Sequence, residues 1–225
     1  MPEAFASWSG GKDSCLACHR AIAQGAQMRY LVNTVTGDGQ RSCSHGISAG
    51  VIRLQAQAIG IPLLQIPTTW DSYEAEFKKA LQGLKEEGVE VGIFGDIDFN
   101  EHRAWVERVC KSASMTARLP LWGESQDGVL RDFIGAGFKS VVVAARADLF
   151  DDKILGREVD LGFIEYLEEL GETKPVTPCG EAGEYHTLVL DGPLFQKRVE
   201  ITKAEKVLRD ERWFLEISGI ALEAR

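Results

Sequence analysis

The chain has 225 residues, 44% of them hydrophobic, and 25 basic against 34 acidic side chains give a formal net charge of −9. That length accommodates one large domain, or a nucleotide-binding domain with a smaller companion, and the acidic balance argues against broad affinity for nucleic acid or anionic lipid, which need a basic surface. No apolar run approaches the ~20 residues of a membrane span, the N-terminal residues carry no basic or apolar leader, and the five scattered cysteines (Cys15, Cys18, Cys43, Cys110, Cys179) read as reduced thiols of a cytoplasmic protein.

Strand and helix signals alternate through the first half. Residues 4–8 form a short strand that runs straight into Gly10-Gly11. Helical spacing covers residues 13–24 and stops at Gly25, and residues 30–35 are a β-branched, buried strand. After a polar loop, apolar residues at Ile47, Val51, Leu54 and Ala58 predict a helix that Gly60 ends. A strand at 61–66, an exposed amphipathic helix at 72–87, a strand at 89–94 and a helix at 100–114 follow. Strands separated by helices of this length imply an α/β fold with a doubly wound parallel sheet. Ligands of such sheets bind beyond the carboxyl ends of the strands. The loops after Trp8, Val35 and Phe94 are therefore expected to line one crevice.

The pattern changes after Pro120-Leu121-Trp122-Gly123, which places a domain boundary at residue 123 and divides the chain into 1–123 and 124–225. A helix at 129–136, a strand at 140–145 and a helix at 161–170 come first in the second part. A Gly/Pro-punctuated stretch at 174–192 leads through a strand at 187–190 to two alternating strands near 197–202 and 213–218. This reads as a smaller α+β domain.

Strand, then Ser9-Gly10-Gly11-Lys12-Asp13-Ser14, then helix is a physical recipe for gripping phosphate. The glycines let the backbone approach an anion, successive N–H groups form a nest, and the helix start adds partial positive charge. Lys12 supplies a full charge, the hydroxyls of Ser9 and Ser14 can donate to phosphate oxygens, and Asp13 suits a helix cap or Mg²⁺. The segment is not a Walker A loop, because Ala6 stands where that motif needs its first glycine and Asp13 follows the lysine. These six residues resemble the PP-loop ATP pyrophosphatases, a superfamily of HUP-like α/β folds. That resemblance implies cleavage of ATP between its α and β phosphates.

Two further cysteine and carboxylate groupings need weighing. Cys15-Leu16-Ala17-Cys18-His19 matches the haem-attachment spacing, but it falls on the first helix of a protein without an export signal, where packing is the plain reading. A second cluster, Cys179-Gly180-Glu181-Ala182-Gly183-Glu184-Tyr185-His186-Thr187, gathers two carboxylates, an imidazole and a thiol. His45 lies in the loop after the second strand, and Asp96, His102 and Arg103 follow the strand that ends near Gly95, so these four are candidates for the substrate side of the crevice.

With the phosphate loop and this second cluster together, the chain is similar to the diphthine–ammonia ligase family. Gly95-Asp96-Ile97, Pro120-Leu121-Trp122-Gly123, Leu155-Gly156-Arg157 and Asp191-Gly192-Pro193-Leu194-Phe195 agree with it. The resemblance implies ATP and Mg²⁺ as cofactors, Gly95 beside the nucleotide, and amidation of a small-molecule or protein-borne carboxylate with ammonia through an acyl-adenylate. In that scheme Lys12 stabilises leaving pyrophosphate, Glu181 and Glu184 bind Mg²⁺ or take protons, and His186 is a general base with a pKa suited to neutral pH. The chain departs from the ligases' E-G-G-E-[YF]-E-[TS] motif at Ala182 and His186, and from their Gly-Ala-Ile at Asp96. These changes resemble the family's bacterial branch, for which a role in cobamide salvage is an alternative. A PP-loop tRNA sulfur transferase, which would use Cys15 and Cys18 and a basic RNA surface, and a non-catalytic ATP sensor are the competing classes. A homo-oligomer is compatible with all of them.

Overall fold

A computed structural model describes residues 1–225. Its first sheet is parallel, with strand order β3-β2-β1-β4-β5. The strands are β1 (Glu3–Ser7), β2 (Gln27–Thr36), β3 (Leu63–Thr68), β4 (Val91–Ile93) and β5 (Thr116–Arg118). Helices α1 (Lys12–Ala23), α2 (Ala49–Ile59), α3 (Tyr73–Glu86) and α4 (Asn100–Ser112) connect them. The chain winds from β1 outward to β3, then returns to the other side of β1 for β4. The strand order therefore reverses between β1 and β4, where an open α/β sheet binds ligands. Ala4, Phe5 and Ala6 are buried on both faces of the sheet, as expected of a central parallel strand covered by helices on each side.

The second sheet is antiparallel, with order β7-β6-β9-β8. It comprises β6 (Lys139–Arg146), β7 (Tyr185–Asp191), β8 (Lys197–Arg209) and β9 (Arg212–Ala224), with α5 (Gln126–Gly135) before it and α6 (Leu161–Gly171) between β6 and β7. The two halves share one core. A cluster of 41 buried residues runs from Ala4 and Ala6 through α1 and α2 to Phe133, Val142, Phe163 and Leu188. A separate cluster of 13, including Phe5, Phe77, Leu81 and Val109, packs α3 and α4 on the opposite face.

Two features differ from the sequence expectations. Strand β5 is a polar three-residue edge, Thr-Ala-Arg, with no apolar pattern to reveal it. The last two strands run for 13 residues each rather than six. They meet at Asp210-Glu211, whose φ values of 45° and 59° are both positive, the signature of a primed two-residue hairpin turn. The Asn-Gly or Asp-Gly pair that usually announces such a turn is missing, so the hairpin was hidden.

Candidate active site

The end of β1 delivers the chain into the phosphate loop. Gly10 adopts a φ of 81°, and a Cβ there would fall 2.6 Å from Ile52 Cδ1. Only glycine meets both demands. Gly95, just past β4, presses on the first turn of α1, and a Cβ there would lie 2.8 Å from the Asp13 carbonyl carbon and 2.9 Å from Ser14 N. The loop is fastened from below by Gln55. Its Nε2 donates to the carbonyls of Gly10 (2.9 Å) and Val189 (2.7 Å), while its Oε1 accepts from Trp8 Nε1 (2.9 Å). Val189 N in turn donates to Gly10 O at 3.0 Å, which ties strand β7 of the second sheet to the loop.

Above this floor lies a cavity of about 270 Å³ between the two halves of the chain. Ser9, Lys12, Asp13 and Ser14 line one wall and Cys179, Glu181, Gly183, Tyr185, His186 and Thr187 the other, with His45, Gly95, Asp96 and His102 among the residues between them. The loops after β1, β2 and β4 thus converge as the doubly wound sheet requires.

Lys12 joins the walls. It is only 3% exposed, and its Nζ donates to Asp13 Oδ2 at 2.9 Å and to the Cys179 carbonyl. The ammonium also stands 5.3 Å from the centre of the Tyr185 ring. Burial pulls its pKa down, but the Asp13 carboxylate, with Tyr185 and Cys179 behind it, outweighs burial and the net displacement is upward. Lys12 is a permanent cation. Burial raises the Asp13 carboxyl and the Lys12 ion pair holds it back; Asp13 Oδ1 is buried and has no hydrogen-bond partner. The Gly11 and Lys12 amides are taken by Ser9 Oγ (3.3 Å) and Thr187 Oγ1 (3.0 Å). At the start of α1 the Asp13 and Ser14 N–H groups are left without an intrahelical acceptor.

On the facing wall, burial and then the Asp13 charge push the Glu181 carboxyl up to about 7, with Lys12 opposing. The His45 and His186 rings stack with centroids 4.6 Å apart. Burial and the Lys12 charge lower His45 to about 4. Burial, then His45, Arg212 and Lys12, hold His186 well below its ordinary value. At the mouth, His102 Nδ1 is 3.3 Å from Asp96 Oδ1, a hydrogen bond that raises the imidazole pKa.

A family model described as the diphthamide synthase N-terminal domain matches residues 3–117, and its C-terminal counterpart matches residues 125–222. The chain is 33% identical to a rat diphthine–ammonia ligase, over 96% of this chain and 91% of that protein. Identity to the human diphthine–ammonia ligase is 32%, over 93% and 86%. The chain belongs to the diphthine–ammonia ligase family. A Schizosaccharomyces pombe protein of the same name is 29% identical over 88% of this chain, which spans only 36% of that longer relative.

As a member of this ligase family the protein is an enzyme, and its structure sorts the residues expected to form the site. Ser9, Lys12, Asp13, Ser14, His45, Gly95, Asp96, His102, Glu181 and His186 all border the cavity. Gly10 and Gly11 lie beneath it as packing surfaces, with His45 Cε1 2.5 Å from where a Gly11 Cβ would be. Two of the expected side chains lie off the cavity. Glu184 does not reach the cavity: it is 1% exposed, its Oε1 accepts from Thr177 N at 2.8 Å, and it braces the loop from inside. Arg103 turns outward on α4, paired with Glu107 at 2.7 Å and stacked 5.1 Å from the centre of the Trp122 ring. His186 lines the cavity, with its pKa held well below the ordinary value by burial and then by His45, Arg212 and Lys12.

Sequence reasoning missed Gln55, and it missed the roles of the Thr187 hydroxyl and the Cys179 carbonyl within the second cluster. Gln55 carried a readable signal, since it sits one turn from Ile52 and Ile59 on the apolar face of α2. A fully buried amide in that position must find partners. Nothing local marks a carbonyl as the acceptor of a lysine 167 positions away.

Proposed function

We propose that the protein is an AMP-forming amide ligase that binds ATP on Lys12, Asp13 and Ser14 and its acid on the Glu181–His186 wall. The carboxylate oxygen attacks the α-phosphorus, pyrophosphate leaves, and ammonia then displaces AMP from the acyl-adenylate to give the amide and a proton. The observation that carries this reading is the buried Lys12 ammonium, held between the phosphate loop and the Cys179 carbonyl. A preorganised cation there stabilises charge growing on the leaving pyrophosphate without reorganisation, and losing one such donor typically costs ~3–4 kcal/mol of barrier.

The other side chains have definable tasks. The Asp13 and Ser14 amides and the α1 dipole orient the phosphates. Glu181, ionising near pH 7, takes the proton released as ammonia attacks. Neutral His186 and His45 accept or donate a hydrogen bond without adding charge beside Lys12. No group of three or more His, Cys, Asp or Glu side chains is arranged to hold a metal by itself. Asp13 Oδ1 nevertheless suits Mg²⁺, which commonly takes one or two carboxylates and fills its shell with phosphate oxygens and water. When bound there, Mg²⁺ supplies charge neutralisation on the phosphates.

The relatives are named for diphthine and ammonia. Of the chain's departures from their motif, His186 falls on the acceptor wall, so acid choice is where it would diverge from them. Sulfur transfer finds no support, because Cys15 and Cys18 are fully buried in the core and line no part of the cavity. Burial pushes Cys18 up to about 12 and Cys15 well above its ordinary range, which leaves both as unreactive thiols. The test is pyrophosphate release from ATP and ammonium across a panel of carboxylic acids. Acid-dependent release with stoichiometric AMP supports the ligase. ADP, or nucleotide binding with no turnover on any acid, overturns it.

A further inference from the structure

Three imidazoles border the catalytic cavity, and only one of them belongs to an exposed residue. His45 and His186 stack on one another, and burial above all holds both below the ordinary imidazole range. His102 is different. It stands on the first turn of α4 with its side chain 61% exposed, its ring 5.5 Å from that of Phe99. Its Nδ1 lies 3.3 Å from Asp96 Oδ1. A proton on Nδ1 satisfies that contact and leaves Nε2 as the basic nitrogen. The Asp96 hydrogen bond raises its pKa, the Glu181 and Glu101 charges act in the same sense, and partial burial opposes them. The adjacent Arg103 is turned away onto Glu107.

The cavity beside His102 is rich in carboxylates. Asp13, Asp96 and Glu181 line it against one permanent cation, Lys12, which is committed to Asp13 at 2.9 Å. A cleft dominated by one sign of charge concentrates the opposite ion, so this one draws a small cation. The loops on its two sides are held together by Gln126. Its Nε2 donates to Asp98 Oδ2 at 2.7 Å, and its Oε1 accepts from Cys179 N at 3.0 Å. The loop carrying Asp96 and the loop carrying Glu181 therefore share one frame.

The amide-ligase reading sets a demand that these groups meet. In neutral water ammonia is almost all ammonium, whose nitrogen has no free electron pair to attack with. Two protons must leave: one as ammonium becomes ammonia, and one as attack completes the amide, the step assigned above to Glu181. We infer that His102 is a further catalytic residue, the acceptor through Nε2 of the first proton, from an ammonium ion drawn between Asp96 and Glu181, and that Asp96 is its positioning residue. The N–H electron pair stays on nitrogen, and the proton passes to Nε2 and from the exposed imidazolium to water. Ammonia then attacks the acyl carbon, and AMP leaves with the electrons of the broken C–O bond. The catalytic step rests on the amide-ligase reading, whereas ammonium binding needs no turnover.

The test uses the full chain in two arms. In the first, the His102 ring resonances, assigned by their loss in His102→Gln, are followed by NMR as ammonium chloride is titrated against sodium chloride at equal ionic strength. A saturable, ammonium-specific shift that weakens in Asp96→Asn is expected. In the second, turnover of an acid that releases pyrophosphate is measured with ammonium and with hydroxylamine, which is uncharged at neutral pH and has no proton to lose before it attacks. His102→Gln should lose about 10²-fold or more in kcat/KM for ammonium, and far less for hydroxylamine. In Asp96→Asn the rising limb of kcat/KM for ammonium should move to lower pH, because the hydrogen bond that raises His102 is weakened. The absence of an ammonium-specific shift, or equal losses with both nucleophiles, overturns the inference. A shift without pyrophosphate release from any acid sinks the ligase reading and leaves the ammonium site standing. Turnover with equal losses sinks the role of His102 and leaves the ligase.

Discussion

On the nucleotide wall, Ser9 to Ser14 takes its shape from a strand, a helix and one positive-φ glycine within a few residues. On the acceptor wall, Cys179 to Thr187 is held by groups from all over the chain: Lys12 on the Cys179 carbonyl, Gln126 on the Cys179 amide, and Arg146 on the Glu184 carbonyl. The first wall is a local device and the second a tertiary one. The acceptor wall owes part of its position to the nucleotide wall. Lys12 and Thr187 are the fasteners, so damage to the phosphate loop should also loosen the acid site, while changes on the acceptor loop that leave the Cys179 carbonyl and the Thr187 hydroxyl in place should spare ATP binding.

The largest expected effect is that of Lys12→Ala. Turnover should fall ~10²–10³-fold, and the freed Cys179 carbonyl should cost a further ~1–3 kcal/mol of stability. Steady-state kinetics with a denaturant melt would separate the two losses. A variant that kept its rate would remove the lysine from the mechanism, and one that lost rate without stability would detach the two walls.

Glu181→Gln sharpens the comparison from the other side. ATP affinity by calorimetry should be unchanged, and turnover should drop ~10²-fold or more if the proton acceptor is lost. In the native enzyme kcat should rise with pH through about 7, where Glu181 ionises, and that limb should vanish in the variant. Stability moves the opposite way. The folded-state pKa is raised above the unfolded value of ~4.3, so the native state binds more protons between ~4.3 and 7, and its stability falls as pH rises through that window. Melting curves across the window should show the fall in the native chain and a flatter profile in Glu181→Gln.

Gln55→Leu probes the fastening itself. Leucine conserves the helix face but orphans Trp8 Nε1 and weakens the Gly10–Val189 junction, for an expected loss of ~2–4 kcal/mol. An unfolding midpoint equal to that of the native chain would contradict the junction's role. The smallest effect belongs to the cysteines of α1. Cys15→Ala and Cys18→Ala should keep turnover within several-fold, and a collapse of activity in either folded variant would restore a thiol to the chemistry.

The same contrast governs what the sequence made legible. Phosphate-loop residues could be recognised because their chemistry depends on neighbours along the chain, and so could the alternation that yields the parallel sheet. The acceptor cluster was visible as a set of residue types, but not as a set of directions. Glu181 and Glu184 read alike in one dimension, and only the fold turns one toward the cavity and the other onto Thr177 N. His186 carried no sign of its low pKa, because the burial that lowers it, and then the His45, Arg212 and Lys12 groups, come from other elements. Arg103 was grouped with His102 by adjacency, although successive residues on a helix point about 100° apart.

The most direct measurement of the central claim traces oxygen from the acid to the nucleotide. With both carboxylate oxygens of a turned-over acid carrying the heavy isotope, attack on the α-phosphorus followed by displacement with ammonia must leave a single labelled oxygen in AMP, which mass spectrometry reads directly. The account predicts that label, together with unlabelled pyrophosphate. Amide formed with unlabelled AMP, or with label in inorganic phosphate and ADP as the nucleotide product, would contradict it.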